Sequence, residues 1–474
     1  MSSQLAASET VNVPSSSSPL NGIGNWIVRY ILFPIGQMLA FIVGAAVLLT
    51  VISYLLAFLF PEPRPGINLA TQITTQLPGM IITGISIGFV YSMIALGYTL
   101  VYGVLKFINF AHSEMFMVGS VIGFEVMRRV FDGGYLGAWS PVLLIVVTVL
   151  LAMLVSGTLA VVIERVAYRP LRGAPRLVPL ITAIGISYVL IDSTRAIMTV
   201  TRNDFNLTYP TNQIEWLSTP IPVSFQGIVI GGSNIGGQLI EQIDADGTTY
   251  DTFAIGDETF ENVYVGGLTL GGRPIRNSDV RNLTVGEAIT PENVTVNGTA
   301  LRDLIEIANV VNVRVTSIIV VISAVLMLLV LNFFVNGTKL GRGIRAVSQD
   351  QATAGLMGIN VNRMIALTFF IGGAFGGGAG ALFGMNAGTV TPYVGFIPGV
   401  KAFTAAVLGG IGNVTGALLG GLTLGLIESF LNGVLVYFPA LGQRYTDIFA
   451  FSVLILILIF RPSGILGERV DEKV

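Results

Sequence analysis

Residues Pro141 to Ile163 read PVLLIVVTVLLAMLVSGTLAVVI, 23 residues without a charge. A helix needs about 20 apolar residues to cross the hydrocarbon core of a bilayer, where no water can satisfy its backbone. The stretch therefore reads as a membrane span. Comparable runs lie at Leu39–Phe60, Met80–Val101, Phe110–Met127, Val178–Thr199, Ser317–Val335, Ile365–Gly384, Asn413–Leu435 and Thr446–Phe460. The region Thr391–Gly410, broken by Pro392, Pro398 and several glycines, reads either as a tenth crossing or as a re-entrant pair. The expected fold class is an all-α polytopic membrane protein of about 9–10 transmembrane or re-entrant helices.

Composition agrees. Of 474 residues, 53% are hydrophobic and 11% charged, against about 25% charged in soluble domains; the mean hydropathy is +0.77. The absence of cysteine excludes disulfides, thiolate metal sites and cysteine nucleophiles. A net charge of -2 offers no basic surface for nucleic acid. The average conceals an asymmetry, since Arg202 to Val310 holds fourteen acidic residues, five arginines and no lysine, a net of -9 that leaves +7 elsewhere.

Lysine and arginine in short loops set the orientation. One loop carries Arg165, Arg169, Arg172 and Arg176, another Lys339, Arg342, Arg345 and Arg363; both are expected in the cytoplasm. The acidic stretch is then external. The tail with Arg461, Arg469 and Lys473 is internal provided Thr391–Gly410 crosses once, and Arg128 and Arg129 fall outside, against the rule. Alternating runs such as NVYVGGLTL (262–270) and NVTVNGT (293–299) predict a small β-rich external insertion. DADG (244–247) matches the start of a calcium loop without the remainder of that pattern. The Ser-rich residues 1–25 lack the positive start of a secretory signal and read as a disordered tail.

No G-x-x-x-x-G-K-[ST] loop is present, so any ATP must be hydrolysed by another subunit. His112 is the only histidine, which excludes an H-E-x-x-H zinc site; no metal ligands and no catalytic residues are assigned. FINFAHSEMFM (107–117) brings Asn109, His112, Ser113 and Glu114 to a membrane boundary, where ionisable groups are costly unless paired or wetted. They either orient the helix or line a substrate pathway. Glu428 in GLIESF (425–430) and Lys401 in the broken segment TPYVGFIPGVKAFTAAVLGGIG (391–412) are further pathway candidates, each with a structural alternative. Gly372, Gly376, Gly380 and Gly384 fall at four-residue steps, and Gly416 with Gly420 and Gly421 with Gly425 repeat the spacing. Such small-residue faces let helices pack closely in lipid. In GRGIRAVSQDQATAGLMGINVNR (341–363), Ala346, Gln349, Ala352, Thr353 and Leu356 recur at helical steps and predict a short amphipathic helix that docks a partner or lies on lipid.

Five segments together carry a family resemblance: YSMIALGYTLVYGVLKFINFAHSE (91–114), ERVAYRPLR (164–172), GINVNRMIALTFFIGG (358–373), KAFTAAVLGGIGNVTGA (401–417) and PSGILG (462–467). The chain resembles the LIV-H class of permease subunits of branched-chain and neutral amino-acid ABC importers. That resemblance implies a multi-pass subunit of the bacterial inner membrane working with a second related permease, two cytoplasmic ATPases that use ATP and Mg, and a periplasmic substrate-binding protein. It implies no cofactor on this chain and no enzyme activity. It also implies an ATPase-coupling element around Arg345, Ala346, Gln349, Asp350, Ala352, Ala354, Gly355 and Gly358. The expected division is then a tail (1–25), an additional span and linker (26–76), the first part of the permease core (77–201), the acidic insertion (202–310), and the second part (311–474) with its coupling helix near 343–358. Ser113 stands where the family carries glycine. A urea or short-amide permease of the same superfamily is the nearest alternative. An ion-coupled secondary transporter would use His112, Glu114 or Glu428 as proton carriers, and a scaffolding membrane protein is the third class.

Overall fold

The computed structural model describes residues 28, 32–61, 63, 69–107, 109–134, 140–175, 177–214, 217, 220–224, seven strands within 248–300, 310–410, 412–438, 445–460 and 464. The tail 1–25, DADG, Arg176, Arg461, Arg469, Lys473 and all of PSGILG except Gly464 lie outside the described residues.

Among the described residues, five α-helices precede the acidic stretch: α1 (Phe33–Leu59), α2 (Leu69–Leu105), α3 (His112–Asp132), α4 (Pro141–Ile163) and α5 (Leu177–Arg202). After it come α6 (Val315–Gly337), α7 (Lys339–Gln349), α8 (Gln351–Leu356), α9 (Val361–Ala387), α10 (Phe396–Gly409), α11 (Val414–Leu435) and α12 (Thr446–Phe460). By length and composition α1, α2, α4, α5, α6, α9 and α11 are able to cross a membrane. The chain is thus an all-α polytopic membrane protein. Each span placed from the sequence overlaps a helix, but Phe110–Met127 and Thr446–Phe460 fall on α3 and α12, which are not among those seven, and α2 begins at Leu69, inside the stretch read as a linker, and carries Pro78 within it.

Local chemistry sets the ends. Ser140 accepts from the Leu143 N–H at 3.2 Å with Pro141 in the first turn of α4, and Asn360 and Asn413 cap α9 and α11 in the same way at 3.0 Å. Gly388, at φ 77°, closes α9 in the left-handed conformation that favours glycine.

Helix directions resolve the broken region. Ser92 Oγ donates to the Leu418 carbonyl at 2.8 Å and Ser429 Oγ to the Met80 carbonyl at 2.7 Å, so α2 and α11 run antiparallel. Gln351 donates to the Val104 carbonyl at 2.8 Å, placing α8 at the C-terminal end of α2, and α9 starts from that same side. Gly372 of α9 lies against Gly97 and Val101 of α2, one to two turns from that end. Helices α9 and α11 therefore point the same way, and residues 388–413 return across the membrane once. The return is made partly by α10, whose 14 residues span about 21 Å of a core about 30 Å thick.

Strand β1 (Leu207–Thr208) pairs antiparallel with β11 (Thr389–Val390), tying the start of the acidic stretch to the far end of α9. Strands β2 (Pro220–Ser224) and β10 (Val310–Arg314) pair antiparallel and close its stem. Between them β3 (Thr248–Ile255), β4 (Glu258–Val265), β7 (Leu283–Val285), β8 (Val294–Val296) and β9 (Thr299–Ala300) form a sheet of order β4-β3-β7-β8-β9, beside the pair β5 (Thr269–Leu270) and β6 (Arg273–Pro274). The insertion is β-rich.

Tyr209, just after β1, is buried against Gly123 and Gly384, and its hydroxyl donates to the Ser120 carbonyl. Tyr209→Phe is expected to cost about 0.5–1.5 kcal/mol, one net hydrogen bond, read as a lower melting temperature of the detergent-solubilised chain. Arg128 pairs with Asp132 at 3.0 Å and Arg202 with Glu125 at 3.0 Å, with Arg129 also within 3.6 Å of Glu125.

Candidate functional site

Helix α9 owes its central position to glycine. Cβ atoms added at Gly372, Gly376 and Gly380 would meet Gly97 and Val101 of α2, Met115 of α3 and the Phe116 carbonyl of α3, respectively, while Gly384 lies under the Tyr209 ring. The opposite flank, Gly373 and Gly377, meets Ala160 and Ser156 of α4. On α11, Gly416 faces Gly409, Gly420 faces the Ala405 carbonyl of α10, and Gly421 and Gly425 face Ser92 and Gly88 of α2. Backbones approach this closely only where no side chain intervenes.

The polar residues at the start of α3 are packed rather than open. Asn109 accepts from the Tyr168 hydroxyl at 2.6 Å, joining the loop before α3 to the π-helical turn Glu164–Tyr168. In that turn the buried Glu164 accepts from Arg172, which also donates to Asn362 at the start of α9. His112 wedges between the backbones of Gly97 and Gly372, and its Nε2 has no partner among the described residues. Ser113 Oγ donates to the Phe110 carbonyl at 2.8 Å, and its Cβ occupies the space left by Gly399 of α10. Glu114 is fully buried; Oε1 accepts from Ser187 of α5 at 2.8 Å and lies 3.2 Å from Ser113 Oγ, whose one proton it shares with the Phe110 carbonyl, while Oε2 lies beside Gly395 at the start of α10 without a hydrogen-bond partner among the described residues. Glu114 and His112 face different neighbours, Ser187 and Gly395 for the first and Gly97 and Gly372 for the second.

Lys401 of α10 and Glu428 of α11 meet at 2.8 Å. Lys401 also reaches Asp447 of α12 at 2.7 Å, and the Tyr91 hydroxyl of α2 donates to Glu428 Oε2 at 2.8 Å. Four helices thus converge on one buried ammonium. Asp447 and Tyr91 were not singled out from the sequence; a lone acid opening an otherwise apolar helix was a signal for the first, and Tyr91 carried none.

The cytoplasmic stretch forms two helices rather than one continuous amphipathic helix. Asp350 ends α7 and caps α8, accepting from Ala352 N at 2.8 Å, Thr353 N at 3.3 Å and Thr353 Oγ1 at 2.6 Å; these bonds, the Thr353 hydroxyl first, hold its carboxyl below the usual carboxylate range. Arg345 donates to Asn336 at 3.1 Å. Gly341, Ile344, Val347 and Ala354 face inward, Ala346 is half-buried, and Gln349, Asp350, Ala352, Thr353, Gly355 and Gly358 are exposed. At the tip Leu356 and Met357 are 89% and 78% exposed, large apolar side chains side by side on the surface.

Gly84-Ile85-Ser86-Ile87-Gly88 has the spacing of a serine nucleophile elbow, yet Ser86 lies within α2 and donates back to the Ile82 carbonyl at 3.1 Å. That is helix-internal bonding, without the strand-to-helix turn the motif requires. Among the described residues no group of three His, Asp or Glu is placed to hold a metal.

Glycine-packed spans, a short helix α10 between α9 and α11 and an exposed apolar tip at Leu356 and Met357 make up a polytopic membrane bundle. The profile of the branched-chain amino acid transport system permease component matches residues 80–458, and the chain belongs to that family. It is 34% identical over 394 residues to the high-affinity branched-chain amino acid transport system permease protein BraD of Pseudomonas aeruginosa, covering 83% of this chain and 97% of that protein. It is 32% identical over 391 residues to LivH of Escherichia coli, a protein of the same description, covering 82% and 96%. A shorter match, 29% over 147 residues, joins it to the LivM permease protein of the same bacterium and covers 30% and 32%. No solved structure matches. The chain is accordingly a multi-pass protein of the inner membrane.

Proposed function

We propose that this chain is a permease subunit of an ATP-driven importer for branched-chain and other neutral amino acids. The observation that carries the reading is the similarity to two branched-chain amino acid permeases over nearly their whole length. It favours amino acids over urea or short amides. The similarity to LivM supports a second, related permease as partner. Two cytoplasmic ATPases supply ATP and Mg chemistry, and a periplasmic protein delivers substrate; the chain itself binds no cofactor and catalyses no covalent step.

Coupling runs through α7 and α8. Leu356 and Met357 insert into an apolar groove of an ATPase, and the capped turn at Asp350 keeps them in register. Asp350→Ala is expected to lower amino-acid-stimulated ATP hydrolysis several-fold, while Asp350→Asn, which retains an acceptor for the α8 N–H groups, keeps most of it. Because the folded carboxyl titrates below its ordinary value, the cap is complete above that value and is lost only as pH falls through the depressed one. Hydrolysis by the wild-type complex between pH 6 and 8 is therefore expected to show no step from this group.

Substrate moves between this chain and its partner, and Asn109, His112, Ser113, Glu114, Lys401 and Glu428 are the residues expected along that pathway. The acidic insertion docks the binding protein or the partner permease; normal transport after its deletion would contradict that role. Co-purification from the native membrane, followed by ATPase assay with the binding protein, tests the whole reading. Two ATPases, a second permease and stimulation by leucine without stimulation by urea support it. A chain that purifies alone contradicts it.

A further inference from the structure

Helix α4 does not stop at Ile163. It winds on through a π-helical turn, Glu164–Tyr168, and a 3₁₀ turn, Arg169–Leu171, and both Glu164 and Tyr168 are buried there, each 1% exposed. Turns of the π type are rare and recur at functional sites. The stretch ERVAYRPLR (164–172) belongs to the family pattern, and neither substrate passage nor the docking of an ATPase requires its buried polar side chains.

Tyr168 touches three elements. Its ring centroid lies 5.7 Å from that of Phe369 on α9 and 5.8 Å from that of Phe107, which precedes α3. Its hydroxyl donates to Asn109 Oδ1 at 2.6 Å, and the Asn109 carbonyl in turn accepts from the His112 N–H at 3.1 Å. His112 opens α3, followed by Ser113 and Glu114. The same turn is fastened to the cytoplasmic helices. Arg172 bridges Glu164 to Asn362 in the first turn of α9, and α9 begins at Val361, just after α8 ends at Leu356. Gly343 of α7 lies against Met364 of α9. Tyr168 also shares one apolar cluster with Ile344 and Val347 of α7, Ala354 of α8 and Met115 of α3.

We propose that Tyr168 is a positioning residue that relays movement of α7 and α8 to the first turn of α3, with its hydrogen bond to Asn109 as the joint. The proposal rests on the importer reading, in which α7 and α8 dock an ATPase. Close-packed elements transmit displacement because their contacts have little slack. Helix α9 carries the Tyr168 ring with it, and the hydroxyl takes Asn109 and the bonded His112 backbone in the same direction. Without that joint ATP is still hydrolysed, but the turn bearing His112, Ser113 and Glu114 no longer follows.

The natural chain has no cysteine, so Ser113→Cys places a single thiol of this subunit on the turn in question. The complete transporter carrying it, in proteoliposomes with partner permease, ATPases and leucine-saturated binding protein, is treated with a methanethiosulfonate reagent with and without ATP trapped by vanadate. Labelling is read on this subunit alone. The expected result is a labelling rate that responds to ATP, and a response that disappears when Tyr168→Phe is added. In chains without the reporter, Tyr168→Phe lowers leucine uptake per ATP hydrolysed about five-fold, the scale of one net hydrogen bond. Hydrolysis stays close to wild type, because the ring contacts with Phe107 and Phe369 are kept.

An unchanged response to ATP in Tyr168→Phe overturns the proposal, and so does a fall in uptake that only tracks a fall in hydrolysis. Should Tyr168→Phe fail to accumulate, Arg172→Lys carries the test. It keeps a cation beside Glu164 and gives up the fork that also reaches Asn362; the same loss of response is expected, and an intact response is contrary to the relay. A wild-type complex that hydrolyses ATP without moving leucine overturns the importer reading. One that moves leucine with no ATP-dependent change at position 113 leaves that reading standing and overturns the relay alone.

Discussion

Lys401→Met is expected to destabilise the chain by about 3–5 kcal/mol, the cost of leaving a buried charge without its partner. The substitution keeps an unbranched chain one atom shorter and removes the ammonium that bonds Glu428 at 2.8 Å and Asp447 at 2.7 Å. Glu428 bears most of the loss, because its side chain is 12% exposed against 47% for Asp447. Thermal unfolding of the purified subunit in detergent measures the effect. The pair Lys401→Met with Glu428→Leu is expected to recover much of the stability, since both halves of the buried pair are then gone. A double variant no more stable than Lys401→Met would place the damage in packing.

Gly380→Leu is the second large expectation. A Cβ there falls on the Phe116 carbonyl of α3, and that helix cannot yield without disturbing Tyr209 and the Gly376 contact. Overpacking costs about 1–3 kcal/mol where side chains can shift; here the obstacle is backbone, so the expected result is a chain that does not accumulate in the membrane. Gly185→Leu provides the comparison, because nothing lies within 4 Å of a Cβ at that exposed position on α5. Equal membrane levels of the two variants would show that α9 is not held by its glycines.

Much of this architecture was legible in the chain because the bilayer imposes one rule, an apolar run long enough to span. The run Pro141–Ile163 became α4 residue for residue. Pro392, Pro398 and the surrounding glycines marked a break, and the half-helix α10 starts between those prolines. Its single crossing was not legible, since it depends on the parallel directions of α9 and α11. The cytoplasmic stretch had helical periodicity throughout, yet Asp350 prefers capping to continuing a helix, and periodicity alone carries no record of that competition.

The candidate site was legible in part. Burying a charge in an apolar span is costly, so Lys401, Glu428 and Glu114 stood out individually. Their partners did not. Lys401 and Glu428 are 27 residues apart on different helices, and Tyr91 and Asp447 join them only through the fold. Ser113 read as a departure from the family's glycine; the structure offsets it with Gly399, which leaves room for its Cβ.

The central claim is that this permease moves neutral amino acids with energy from ATP. Reconstitution of the complete complex in proteoliposomes, with leucine uptake followed with and without ATP and in the presence of a protonophore, tests it most directly. The account predicts uptake that requires ATP and survives collapse of the proton gradient. Uptake that proceeds without ATP and stops with the protonophore would contradict it, and would move the mechanism to the buried carboxylates Glu114 and Glu428.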